Sequence, residues 1–293
     1  MVSSSAWWLV ATLRLLDATN TSFEAQSKAR LALVRRCAAR LDRAAGASGL
    51  VVLVHQNNAS VALVQIAKGG SSSLKAFAAR RFPGDATLNA WAHRVAQKKP
   101  RVVAFARDPL ERFVSGALEV VARGYTFRNG SKLVGVERGV NVPAARQGRY
   151  AMGRDVADPP GAVAAFAMRL FDGRVTGGAL EHVAPQWHAL TRPRGKPALG
   201  LDHLGRVDAL DAELAFLFGR GAPTTRERAR PAATAAARLP RSLERRACAC
   251  YAEDACCLDG AFAARCPELD CDDDATFRAA ADCRWATRHF RGG

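Results

Sequence analysis

Two short runs constrain this chain more than any other feature: residues 61–66 (VALVQI) and 101–106 (RVVAFA). Residues 61–66 are almost wholly apolar, as a strand buried on both faces must be, and residues 101–106 read as a second buried strand. A helical stretch follows each run, over 74–81 and from about 110 to 123, with Pro109 near the first turn of the second. Strands alternating with helices argue for a parallel α/β sheet. Residues 50–55 (LVVLVH) precede the first run across the turn-forming segment QNNAS, which predicts a hairpin. An amphipathic helix is expected over 22–45, where Leu31, Val34, Ala38 and Leu41 recur at three- and four-residue spacing. Further on, a long loop is expected over 124–160, a helix over 162–171, a third short strand over 198–201 and a helix over 210–218. The chain divides into a helical segment (1–49), an α/β domain (50–219), an Ala/Arg/Pro-rich linker (220–247) and a cysteine-rich tail (248–293).

Seven of the eight cysteines crowd into that tail, and Cys37 stands alone. Such crowding points to disulfides in an oxidising compartment. The spacing does not repeat the C-x2-C pairs of common zinc sites, so disulfides are the better reading. Seven tail cysteines cannot all pair among themselves, and Cys37 takes the odd one if the N-terminal helix lies near. Three N-x-[S/T] sequons, at Asn20, Asn58 and Asn129, agree with a secretory route. Residues 6–16 (AWWLVATLRLL) are apolar but carry Arg14 and are shorter than the ~20 residues of a spanning helix. They read as a degenerate signal, part of a truncated anchor, or an ordinary buried helix, the last being favoured.

The net charge of +16 predicts an anionic partner (nucleic acid, anionic glycan or a nucleotide) or, equally, reflects arginines scattered over solvated faces, since there is no dense basic block. Two local patterns bear on which. Lys68-Gly69-Gly70-Ser71-Ser72-Ser73 directly follows the first buried strand. Strand, small-residue loop and helix is the arrangement that binds phosphates, because glycine lets backbone approach an anion and the helix end presents amides. The alternative is a flexible Gly/Ser turn. It is not a Walker A loop, where lysine follows the second glycine. The second pattern is Arg107-Asp108-Pro109-Leu110-Glu111-Arg112-Phe113-Val114-Ser115. Arg107 ends the second strand and Ser115 lies eight residues on in the next helix, so a forked guanidinium and a hydroxyl can converge on one phosphate. The alternative is an Arg107–Glu111 pair with Ser115 filling a small site.

Taken together, the two patterns resemble the elements of sulfotransferases that bind 3′-phosphoadenosine 5′-phosphosulfate (PAPS). The first is similar to "PK-x-G-[S/C]-[S/T]", the second to "R-[D/E]-P-[F/L]-x-R-x-x-S". The resemblance extends to the Golgi carbohydrate sulfotransferases through the hairpin ahead of the loop. Glu181-His182-Val183-Ala184-Pro185-Gln186 is similar to their "E-H-W-x-P-Q". Leu201-Asp202-His203-Leu204-Gly205-Arg206-Val207-Asp208 is similar to their "Y-D-x-[I/V]-G-[K/R]-x-E". Ala67, Val183, Leu201 and Asp208 depart from those patterns.

The expected fold is α/β: a P-loop-like three-layer sandwich with a central, mostly parallel sheet, plus a small cysteine-rich C-terminal appendage. The resemblance implies transfer of a sulfuryl group from PAPS to a carbohydrate hydroxyl in the Golgi lumen, by an enzyme anchored as a type II membrane protein or secreted. Lys68 would neutralise the bridging oxygen as its bond breaks. Gly70, Ser71, Ser72 and Ser73 would cradle the 5′ end, and Arg107 and Ser115 would hold the 3′-phosphate. No metal is required. For the general base the candidates are His182, His188, His93, Glu181 and Glu111, with His182 first. The rivals are another P-loop-like nucleotide-dependent transferase, which needs a Walker lysine and a metal-binding acid, and a basic nucleotide- or polyanion-binding protein without catalysis. A nucleic-acid partner is not expected, since aromatics are only 7% and several sit in apolar runs.

Overall fold

The computed structural model describes residues 4–47, 49–56, 59–122, 127–128, 132–133, 158–173, 175, 180, 182–193, 199–219 and 238–283. The sequons at Asn58 and Asn129, Glu181, nearly all of 124–157 and residues 220–237 lie outside them.

Helix α1 spans Ser4–Arg40, beginning well before the predicted residue 22. Leu31, Val34 and Ala38 are buried, as their spacing requires. The helix stops short of residue 45 because Asp42 turns left-handed (φ 52°), which ends the α-helical bonding. Strand β1 (Arg43–Ala45) follows.

The central sheet contains β2 (Leu50–Gln56), β3 (Ala59–Val64), β4 (Ala86–Trp91), β5 (Arg101–Ala106) and β9 (His203–Arg206) in the order β4-β2-β3-β5-β9. The β2–β3 hairpin is antiparallel, with Gln56 opposite Ala59. β3, β5 and β9 run parallel, so the sheet is mixed and its parallel half carries the carboxyl-terminal loops. β4 (ATLNAW) is an antiparallel edge strand in a stretch read from the sequence only as part of a polar segment. Two further pieces, β6 (Phe127–Arg128) and β7 (Lys132–Leu133), pair with each other, and β8 (Thr191–Pro193) pairs with β1.

Alternate residues of β2 reach opposite faces, which is why the run is apolar throughout. Val51 and Leu53 join Leu31, Val34 and Ala38 of α1 on one face. Val52 and Val54 join Leu74 and Phe77 of α2 (Ser71–Arg81) on the other. Helix α3 (Ala92–Val95) leads toward β5. Helices α4 (Pro109–Ala122) and α5 (Pro159–Phe171) pack beyond, through Phe113 and Phe166. Among the described residues, no helix is long and apolar enough to cross a membrane.

The third parallel strand is not the expected 198–201. Leu199 makes only an isolated bridge to Ala47, and the strand is His203–Arg206. Asp202 starts the pairing: its amide donates to the Val102 carbonyl (2.9 Å) and its carboxylate accepts from the Val102 amide (2.7 Å). A histidine inside a buried strand reads poorly by hydropathy. Here Glu213 of α7 (Leu210–Phe218), 2.8 Å away, satisfies it. Arg30 of α1 closes the same buried cluster by bonding Asp259 at 2.8 Å.

The cysteine-rich tail is a second departure. Helix α8 (Arg241–Cys250) begins inside the stretch read as linker, and α9 (Ala252–Cys257), α10 (Gly260–Ala263) and α11 (Asp274–Asp282) follow. Rather than an appendage, these helices enter the main cores. Cys248, Tyr251 and Ala255 pack with Phe113 and Phe166. Leu258, Phe262 and Phe277 pack with the sheet strands. All eight cysteines are paired: Cys37–Cys257, Cys248–Cys266, Cys250–Cys283 and Cys256–Cys271. Cys37 on α1 does take the odd tail cysteine. Four disulfides suit a secreted or lumenal protein that matures under oxidising conditions.

Candidate active site at the carboxyl edge of the sheet

β3, β5 and β9 point the same way, so the chain leaves all three at one edge of the sheet. Ligands of open α/β sheets bind beyond that edge. The first loop is tightly specified. Lys68 adopts a left-handed conformation (φ 60°), uncommon for a side chain larger than glycine, and Gly70 does so as well (φ 81°). At Gly69 a Cβ would lie 2.9 Å from that of Ile66, whose carbonyl accepts from the Gly69 amide at 2.9 Å. Helix α2 then starts on Gly70, which offers no side-chain cap, and its first backbone bond runs from Leu74 to the Gly70 carbonyl. The amides of Ser71, Ser72 and Ser73 therefore head the helix, where orphan N–H groups and the dipole favour an anion.

The second element is stitched to the first. At the start of α4 the Asp108 carboxylate accepts from the Glu111 amide at 2.9 Å. Arg112, wholly buried, turns back and donates through Nε to the Ala67 carbonyl at 2.9 Å, one residue before Lys68. Burial pushes its pKa down, while the nearby Asp254 opposes that shift. Two turns along α4 from Arg112, the Glu119 carboxylate lies 2.7 Å from the Lys68 ammonium. Ser115, also buried, is one turn before Glu119.

A third segment rests on this helix. A Cβ at Gly116 would come within 2.3 Å of the His182 carbonyl, so residue 182 passes directly over the residue after Ser115. Four residues later Gln186 clamps Arg107. Its Oε1 accepts from the Arg107 amide (2.9 Å) and its Nε2 donates to the Arg107 carbonyl (2.7 Å). The Arg107 guanidinium is 24% exposed and lies 3.7 Å from Glu111. Burial lowers its pKa, and Glu111 and Asp108 oppose the shift. Gln186 is held by the tail: Asp254 accepts from the Gln186 amide (2.8 Å) and the Trp187 amide (2.7 Å). The Tyr251 hydroxyl donates to the Val183 carbonyl.

The structure thus assembles Lys68, the helix bearing Ser115, and the His182 backbone around one helix face, with Arg107 at the head of the same helix. The other base candidates are placed differently. His188, in helix α6 (Trp187–Leu190), is pushed down to about 4 by burial and by the charge of Arg43 on β1. His93 lies on α3 with its ring stacked on Trp91 at 6.1 Å; Trp91 is opposite Leu50 and Val51 is opposite Val64, so His93 follows β4 at the same edge of the sheet as the Lys68 loop. Glu111 is shared between Arg107 and Arg265, 3.9 Å away. The third loop adds Arg206, bound to Asp208 at 2.6 Å and lying over Phe262.

Sequence reasoning assigned no role to Glu119, Gln186 or Asp254. Glu119 carried one signal, as the lone acid in the apolar run Phe113-Val114-Ser115-Gly116-Ala117-Leu118-Glu119-Val120. Asp254, 68 residues from Gln186, carried none. Among the described residues, no three metal-ligating side chains are gathered together.

No family model, no curated protein and no solved structure matches the chain. The geometry at the carboxyl edge and the motif resemblance therefore carry the functional reading between them.

Proposed function

We propose that this edge binds PAPS and that the protein is a sulfotransferase acting on a carbohydrate hydroxyl. The observation that carries the reading is the joining of the two anion-binding elements. Arg112 ties α4 to the carbonyl before Lys68, and Glu119 of the same helix meets the lysine itself. A loop of glycine, serine and lysine thereby adjoins an Arg-x7-Ser helix, at the edge where parallel strands present their loops. In this reading the 5′-phosphosulfate lies against Lys68 and the amides of Ser71, Ser72 and Ser73, and Arg107 and Ser115 take the 3′-phosphate.

The chemistry requires little covalent participation from the protein. The acceptor oxygen attacks sulfur, and the bond from sulfur to the oxygen bridging it to the 5′-phosphate breaks. The acceptor proton passes to a base, and 3′-phosphoadenosine 5′-phosphate (PAP) departs. Positioning and charge stabilisation supply most of the acceleration. Lys68 acts on the charge that builds on the leaving oxygen. Glu119 aims the ammonium and tempers its charge until the donor competes for it. His182 remains the first candidate for the base on the motif resemblance, and its backbone crosses α4 at Gly116, one turn from the Glu119 that meets Lys68. A Golgi lumen location fits four disulfides and a carbohydrate acceptor.

The test is calorimetric titration with PAP, 5′-AMP and ATP, followed by incubation of PAPS with a panel of unsulfated oligosaccharides. PAP should bind tightest by at least tenfold, and a sulfated product should form with some members of the panel. Equal affinity for PAP and 5′-AMP would sink the reading.

A further inference from the structure

We infer that Asp254, a residue of the cysteine-rich segment, is a positioning residue of the donor site, acting through Gln186 on the backbone of Arg107. The inference rests on the reading of Arg107 as a ligand of the 3′-phosphate.

Arg107 is the first residue beyond β5, whose last sheet pair is Ala106 with Arg206. Its amide and carbonyl have therefore left the ladder and need partners. Gln186 supplies both, at 2.9 and 2.7 Å. One side-chain amide bonding both main-chain groups of one residue fixes the direction in which that residue's own side chain leaves the strand. The orientation of Gln186 depends on Asp254 in turn. One carboxylate oxygen takes the Gln186 amide and stands 3.5 Å from its Nε2, while the other takes the Trp187 amide.

A fully buried carboxylate is a costly group to keep in a fold that only needs to pack a helix. Burial raises the pKa of Asp254, and Arg112 and the bonds from Gln186 and Trp187 work against that rise. With the Tyr251 hydroxyl on the Val183 carbonyl, one turn of the tail grips three main-chain groups of the segment 183–187. That turn is itself anchored: Cys256 and Cys257, immediately after it, are bonded to Cys271 and Cys37. The tail thus forms the outer support of the donor site.

Asp254→Asn keeps the shape but replaces one acceptor with a donor facing an N–H. Two readouts separate positioning from general stability. The first needs no nucleotide: hydrogen exchange at the Arg107 amide, read by NMR, should quicken at least tenfold in Asp254→Asn. The second is calorimetry with PAP and 5′-AMP. Asp254→Asn should weaken PAP about tenfold and 5′-AMP less than twofold, and should add nothing in a Gln186→Ala background. Gln186→Glu, which cannot donate to the Arg107 carbonyl, should show the same selective loss in a protein whose Asp254 is intact. Unchanged exchange at Arg107, equal weakening of both nucleotides, or losses that multiply in the double variant would each overturn the inference while leaving the donor reading in place. A wild-type protein that does not prefer PAP to 5′-AMP overturns the donor reading, and the inference with it.

Discussion

The ammonium of Lys68 lies 2.7 Å from the carboxylate of Glu119, a residue only 2% exposed, so the loop lysine and the middle of α4 form one charged unit inside the site. Lys68→Ala removes the ion-pair partner of a buried acid. The expected cost is about 1–3 kcal/mol of stability, measured by denaturant unfolding. The double variant Lys68→Ala/Glu119→Gln should recover most of that stability and none of the turnover. Recovery of turnover would remove Lys68 from the chemistry.

Arg107→Ala should weaken PAP by about 10- to 100-fold, the equivalent of ~1.5–3 kcal/mol for a charge-assisted bond to phosphate. Binding of 5′-AMP should change little. Calorimetry of both nucleotides decides, and a parallel loss would show that Arg107 does not read the 3′-phosphate.

Gly116→Ala places a methyl 2.3 Å from the His182 carbonyl and 2.9 Å from Val183. Backbone cannot yield as a flexible side chain does, so α4 and residue 182 must part, at about 1–3 kcal/mol. Thermal melts should record the loss. Turnover should fall further than PAP affinity if residue 182 serves the acceptor side, and an unchanged melt would refute the close approach.

Burial raises the pKa of Glu253 from 4.5 to about 7, with the Asp254 charge adding and Arg43 opposing. The fold therefore favours the neutral acid. That contribution is complete below about pH 4.5 and is lost as pH rises through about 7, up to a limit of about 3 kcal/mol, less for the part of the side chain that meets solvent. His188, lowered to about 4, gives the opposite slope between pH 4 and 6.5, because its neutral ring is also preferred. The measurement is therefore a comparison: unfolding free energy from pH 4.5 to 8 for wild type and Glu253→Gln. The difference between the two curves should grow with pH in favour of the variant, and a constant difference would show that Glu253 is not perturbed.

The strands β2, β3 and β5, the helices after them and the Lys68 loop were legible because each is specified by neighbours in the chain. Unbroken apolar runs demand burial on both faces, glycines permit the turn at residues 69 and 70, and Pro109 suits a helix start. Strand β9 was misplaced because His203 looks polar until Glu213, ten residues on, satisfies it. The edge strand β4 was missed although Ala86, Leu88 and Ala90 alternate with polar residues, because so short an alternation inside a mixed segment is weak. The odd number of tail cysteines implied a partner in Cys37, but which cysteine it meets depends on where α11 and α9 pack against α1.

Local pattern alone determined that this chain forms an α/β sheet with a parallel portion and a Gly/Ser loop after β3, since apolar periodicity and backbone freedom act over a few residues. That half of the strand pairings in the central sheet are antiparallel was set by the tertiary fold. Tertiary structure alone decided that Lys68 meets Glu119, that Arg112 bonds the carbonyl of Ala67, and that Asp254 of the tail reaches Gln186 and through it Arg107. Those pairings join groups 45 to 79 residues apart. Such contacts are set by the burial of whole helices, and the polar groups then find partners within what that packing encloses.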